Sequence, residues 1–163
     1  TCKCIDRAIL NRIILALDDA DIEIRGEAFS ALVLNENDIS DILIQNLDSQ
    51  SKNVRGFSLL VLANRNDRRA VPEMINATSD ESAMVRSCAV GALGHLKASG
   101  ATRAIQKCMG DPSPEVRKSA IKAAIDVGDR TALGKLDEMS GDDPEIKSLL
   151  DYAKSKLDGP GGI

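Results

Sequence analysis

One pair of residues, an apolar side chain followed by arginine, recurs along this chain at nearly constant steps. It stands at Ile24-Arg25, Val54-Arg55, Val85-Arg86 and Val116-Arg117, and Ile146-Lys147 keeps the interval with a conservative change. A period this regular restricts the fold to a stack of like units, none of which can bury its apolar face alone. The register extends beyond the pair. Four residues after the apolar position come Ala28, Ser58, Ala89, Ala120 and Leu150. Seven after it come Ala31, Val61, Ala92, Ala123 and Ala153, and eight after it Leu32, Leu62, Leu93, Ala124 and Lys154. Offsets of 0, 4, 7 and 8 fall on one face of an α-helix, and the small residues among them let neighbouring helices approach closely.

Turn chemistry precedes each of these helices. Asp19, Asp80 and Asp111 sit six residues before the arginine and Asp48 seven before, while Pro114 and Pro144 open first turns. Acidic residues and proline suit the unpaired N–H groups and the dipole at a helix start. Between these helices lies a shorter helical pattern, as in Ile39/Ile42/Leu43/Leu47 and Ala101/Ala104/Ile105/Cys108, with Asn35, Asn66, Gly100 and Gly128 marking gaps. The spacing predicts ten helices, at about 4–17, 22–34, 38–47, 52–63, 68–78, 82–96, 101–109, 113–127, 130–139 and 143–157. It predicts no strands, and a flexible tail over 158–163. Residues 1–157 form one domain of five helix pairs, at about 4–34, 38–64, 68–96, 101–127 and 130–157.

Composition narrows function more than fold. Aromatic residues are 2% of the chain, with Phe29, Phe57, Tyr152 and no Trp, so the core is built from Ala, Leu, Ile and Val. Residues 1–80 carry 9 basic and 13 acidic side chains, and residues 81–163 carry 12 of each. Neither half is basic, which argues against a nucleic-acid partner held through phosphates. No apolar run reaches the roughly 20 residues of a membrane span, so no membrane role is expected. Cys2, Cys4, Cys88 and Cys108 lack the dense pattern of a disulfide scaffold, and a reducing cytoplasm is the expected location. The chain starts without Met, which suggests a processed product or a piece of a longer repeat protein.

These repeats resemble HEAT repeats, specifically the short type of phycobilisome-lyase-like HEAT proteins. The third unit carries the resemblance most clearly, with Arg69-Ala70-Val71-Pro72 opening one helix, Asp80 in the turn and VRSCAVGALGHL over 85–96. The fourth, DPSPEVRKSAIKAAIDVG over 111–128, is close to it. The resemblance covers residues 5–157 and implies an all-α fold, a right-handed α-α superhelix of five HEAT-like pairs. It also implies a stacked ladder of Asp19, Asp48, Asp80 and Asp111 with Arg25, Arg55, Arg86 and Arg117. An arginine on the buried edge of a helix needs a carboxylate or carbonyl for its fork of donors, which leads to the same structural role.

Little in the chain points to catalysis. A Ser–His–acid arrangement would have to use His95, which stands at a helix end where the dipole suits it. Cys2-x-Cys4 lacks the further ligands of a structural zinc site, so neither metal nor cofactor is expected. HEAT-like hydroxylases hold iron with several His-Glu pairs and HEAT-like glycosylases use aromatics in a basic groove, and neither trace is present. The expected role is a non-catalytic protein-interaction scaffold. The alternatives are a subunit of a phycobilin-lyase-like or other HEAT-type enzyme, and a structural part of a longer repeat protein.

In such solenoids the second helix of each pair lines the concave face. Offsets 2, 6 and 10 point there. They include Leu34, Leu60 and His95, with the basic set Lys118, Lys122 and Lys156 and the one tyrosine, Tyr152. The expectation is apolar contact at Leu34 and Leu60, an acidic partner segment at the three lysines, and Tyr152 as an anchor. The first helix is apolar on more than one side, which a polar terminal cap would not be. That predicts an array continuing upstream, or end-to-end self-association through this helix.

Overall fold

Side chains small enough to let backbones meet, repeated every turn of a helix, produce a stack of helices here. The computed structural model describes residues 6–132, 134 and 144–157. Cys2, Cys4, the start of the first expected helix, most of the helix expected over 130–139, and the tail 158–163 lie outside the described residues. In chain order the helices are α1 (Arg7–Leu15), α2 (Ile22–Leu34), α3 (Ser40–Gln45), α4 (Lys52–Asn64), α5 (Val71–Ala77), α6 (Ala83–His95), α7 (Thr102–Cys108), α8 (Pro114–Val127) and α9 (Pro144–Leu157). Among the described residues there is no strand. The chain is the all-α superhelix that its period predicts.

The shorter helices are shorter than the sequence pattern suggests. 3-10 turns at Ala16–Asp18 and Asn46–Asp48 finish α1 and α3, and 3-10 turns at Arg68–Ala70 and Ser99–Ala101 lead into α5 and α7. Such turns tighten a helix end and satisfy groups that lack an intrahelical partner. Aspartates open several first helices, the Asp6 carboxylate accepting from the N–H of Ala8, that of Asp67 from Arg69, and that of Asp129 from Thr131.

The longer helices stack directly on one another, α2 on α4, α4 on α6, α6 on α8 and α8 on α9, most closely in the middle of the stack. Val54, Ser58, Val61 and Leu62, then Val85, Ala89, Ala92 and Leu93, then Val116, Ala120, Ala123 and Ala124 are all buried. These are the offsets 0, 4, 7 and 8. The closest approach is at Gly94, where a Cβ would lie 2.8 Å from the Cα of Ala123. A Cβ on Gly56 would meet the Met84 sulfur at 2.7 Å. Gly56 stands at offset 2 from Val54, a position expected on the open concave face, and is instead buried under α6.

Three of these helices end alike. Asn66, Lys97 and Gly128 each take a left-handed conformation, with φ of 55°, 47° and 73°. The next residues, Asp67, Ala98 and Asp129, donate back to the carbonyls of Leu62, Leu93 and Ala124 at 2.9, 3.0 and 2.9 Å. This is the Schellman closure, recurring once in each of three successive repeats. α2 ends differently, its cap residue Asn35 being extended. Its last carbonyls are taken by the guanidinium of Arg65, which donates to Leu32 and Val33 and, further on, to Asn37.

Candidate functional site

The arginine of each repeat does two jobs, and the first is local. Nη1 of Arg25 donates to the carbonyls of Asp19 and Ala20, Arg55 to Ser49 and Gln50, Arg86 to Asp80 and Glu81, and Arg117 to Asp111 and Pro112. Each arginine thereby holds the turn before its own helix. The second job crosses to the next repeat. Nε and Nη2 of Arg55 donate to the two carboxylate oxygens of Asp80 at 2.9 Å each. Those of Arg86 donate to Asp111 at 2.7 and 2.9 Å. The same carboxylates accept from the N–H of Ser82 and Ser113, both at 2.8 Å. The carboxylate of each pair thus comes from the turn of the following repeat, Asp80 for Arg55 and Asp111 for Arg86. From the aspartate before its own helix, Arg86 takes the backbone carbonyl alone.

Charge and burial act together on these pairs. Burial alone would raise the Asp80 carboxyl, but Arg55 and the Ser82 N–H outweigh it and bring it below the ordinary carboxylate range. The Arg86 fork likewise lowers Asp111, aided by the Ser113 N–H. Arg55 and Arg86 are raised in turn by their hydrogen bonds to these aspartates.

Asp48 does not belong in the ladder. It sits at the end of the 3-10 turn Asn46–Asp48, one residue early, and Ser49 occupies the ladder position. The Ser49 hydroxyl accepts from the Ser51 N–H at 3.2 Å, as the aspartates do in later repeats, but it offers no carboxylate to Arg25. Among the described residues, Nε and Nη2 of Arg25 donate to no partner, whereas the same atoms of Arg55 and Arg86 are fully used. The spacing of seven in place of six before Arg55 was the visible signal of this break.

Arg25 opens onto an apolar cleft of about 340 Å³ between α2 and α4, lined by Ile22, Gly26, Phe29, Phe57 and Leu60. The two phenyl rings meet edge to face, with centroids 6.5 Å apart and planes at 71°, a favoured aromatic geometry. Ile22 stands at the mouth, 72% exposed. Phe29 and Phe57 lie at offsets 5 and 3, so a reading confined to offsets 2, 6 and 10 passes over them. Their being the only phenylalanines, in adjacent repeats, was the available signal.

The other expected site residues fall into separate groups. His95 and Lys122 share a cleft of about 240 Å³ between α6 and α8 with Ser119 and Asp126. Lys118 is engaged by Glu145 of α9, so a neighbouring carboxylate already answers its charge. Lys156 lies over the ring of Tyr152 at 5.8 Å, a cation–π arrangement. Leu34, 78% exposed at the end of α2, does not line the cleft that holds Leu60.

Other candidates carry less. Burial raises the Cys88 thiol to about 11 and also raises Cys108, so both behave as small apolar side chains near neutral pH. Among the described residues no cluster of His, Cys, Asp or Glu could hold a metal ion, and no helix is long and apolar enough to cross a membrane.

Solved structures share this architecture. A chain from the complex of CpcE and CpcF of phycocyanin lyase from Nostoc sp. PCC7120 superposes with a TM-score of 0.81 at 21% identity, covering 92% of this chain and 100% of that one. A designed armadillo repeat protein in complex with the peptide (KR)4 superposes at 0.59 and 20% identity, covering 92% and 82%. Computationally designed armadillo repeat proteins for modular peptide recognition give 0.59 and 21% over the same shares. No curated protein sequence matches the chain. HEAT repeats are matched over residues 40–107 and again over 89–150, more than half of the sequence, and the chain belongs to the HEAT-repeat family.

Proposed function

We propose that this protein is a non-catalytic scaffold that holds a segment of a partner protein along the concave face formed by α2, α4, α6, α8 and α9. One observation carries the reading: the face holds a preformed apolar cleft around Phe29, Phe57 and Leu60, with Ile22 exposed at its mouth. Apolar surface kept open beside polar clefts is what a recognition surface requires. The solved structures with this fold include a subunit of a two-protein complex and a designed repeat protein holding a peptide. An acidic partner segment further along the face would meet Lys122 and Lys156, since Lys118 is engaged by Glu145.

Affinity capture from the native lysate tests this, using wild type, Leu60→Arg, Lys122→Glu and an outer-layer control, Asp41→Lys. A partner retained by wild type and the control but lost by Leu60→Arg supports the concave face. A partner retained by all four lies elsewhere on the molecule.

A second reading has its own observation. Ile24 is 41% exposed and Ala31 is exposed, although Val54, Val61, Val85 and Ala92 at the same offsets are buried by the preceding repeat. With Ile9, Ile13, Ala16 and Ala28 they line an open trough of about 430 Å³. The opposite end differs: α9 exposes Asp151 and Ser155 where Leu59, Val90 and Ile121, then Ala63 and Gly94, are buried. Self-association would therefore pair the apolar N-terminal ends of two copies. Sedimentation velocity over a concentration series should show a dimer that Ile24→Asp removes. A monomer at every concentration would end this reading.

A further inference from the structure

We propose that the cleft between α2 and α4 is a carboxylate-recognition site, taking a peptide in which an aspartate or glutamate lies within two residues of a large apolar side chain. The inference deepens the concave-face reading and rests on it. The broken rung of the ladder carries it. In the two intact rungs the Nε–Nη2 edge of the arginine grips both oxygens of an aspartate from the following repeat. At Arg25 that edge holds nothing among the described residues, because Ser49 stands where the aspartate would be.

The rest of the Arg25 side chain is as well fixed as its counterparts. Nη1 is tied to the carbonyls of Asp19 and Ala20 at 2.6 and 3.1 Å, so the fork is oriented before any ligand arrives. A planar fork of this kind matches a carboxylate or a phosphate through two parallel bonds, and the same fork takes a carboxylate in both intact rungs. Beside it the cleft is almost wholly apolar, with Phe29, Phe57 and Leu60 as floor and Ile22 at the mouth. The two parts demand two chemistries from one ligand, a carboxylate for the fork and an apolar side chain for the rings. In an extended peptide, residues two apart point to the same side, which sets the spacing. Gly26 keeps the approach clear, as a Cβ there would meet nothing within 4 Å.

A random dodecapeptide library displayed on phage, selected against wild type, Arg25→Gln, Ser49→Asp and Leu60→Arg, tests the site. Ser49→Asp supplies within the molecule the carboxylate that the other rungs have, so it should fold, raise the melting temperature and close the site. Wild type should enrich acidic residues two positions from Phe, Leu, Ile or Met. A peptide so selected should bind Arg25→Gln and Ser49→Asp about tenfold or more weakly, the scale of a lost charge-assisted pair. Leu60→Arg should lose it as well. Acidic preference that survives both Arg25→Gln and Ser49→Asp overturns the proposal, as does selection of neutral apolar peptides. In either case, dependence on Leu60 leaves the concave-face scaffold standing. Selection indifferent to Leu60, or none at all, overturns both.

Discussion

The first repeat and the two central ones are built from the same register and differ in how they are finished. In the centre, Arg55 and Arg86 close on Asp80 and Asp111, α4 and α6 end in left-handed caps, and every inward offset is buried. In the first repeat Arg25 meets no carboxylate among the described residues, α2 ends extended with its carbonyls held by Arg65, and Ile24 and Ala31 face outward. The centre has neighbours on both sides and uses its donors and apolar area on them. The first repeat has a described neighbour on one side, and the same chemistry is left available for other molecules. In a stacked fold, an unused repeat contact and a binding surface are the same kind of object.

The widest gap should appear on truncating an apolar side chain. Leu93, fully buried, should cost about 2–5 kcal/mol as Leu93→Ala, while Ile24→Ala should cost well under about 1 kcal/mol. Urea denaturation monitored by circular dichroism measures both, and equal losses would erase the distinction between centre and end. Adding a methyl sharpens it. Gly94→Ala pushes a Cβ against the α8 backbone and should cost about 2–3 kcal/mol. Gly26→Ala meets nothing and should raise stability by about 0.5–1 kcal/mol through helix propensity.

The ladder should show itself in pH dependence. The folded-state values of Asp80 and Asp111 lie below the ordinary one, so their stabilisation is present above about pH 4–5, the unfolded carboxylate range. It is lost as pH falls through the folded values. Asp111→Asn should cost about 1–2 kcal/mol at pH 7 and flatten this acid loss. A slope left unchanged below the ordinary carboxylate range would place the acid sensitivity elsewhere. A smaller effect than that of the ladder concerns the caps. Lys97 holds a φ of 47° that glycine adopts without a Cβ penalty, so Lys97→Gly should add about 1 kcal/mol. Asn35→Gly, at an extended cap, should add nothing.

Much of this was legible along the chain. The constant repeat interval, the small residues at inward offsets and the aspartate before each helix are local regularities, and they imply helices that stack. The ladder was legible as a set of residue types but not as a pairing. Sequence places Asp80 six residues before Arg86, while the structure gives the carboxylate to Arg55 and its carbonyl to Arg86. The basic stripe was legible as charge alone, and Glu145 answering Lys118 changes its meaning. The aromatic cleft was missed because Phe29 and Phe57 sit at different offsets, and only the packing of α2 against α4 brings their rings together.

The sequence by itself determined the kind of unit, the order of the units and the face each helix turns toward the stack. Those follow from periodicity, which acts within one or two turns of a helix. Tertiary structure alone decided which arginine meets which aspartate, which lysine is neutralised and which apolar face stays open. Those depend on contacts between successive repeats across a helix interface, where a change of a single residue, Ser49 at the ladder position, decides whether a fork is filled or free.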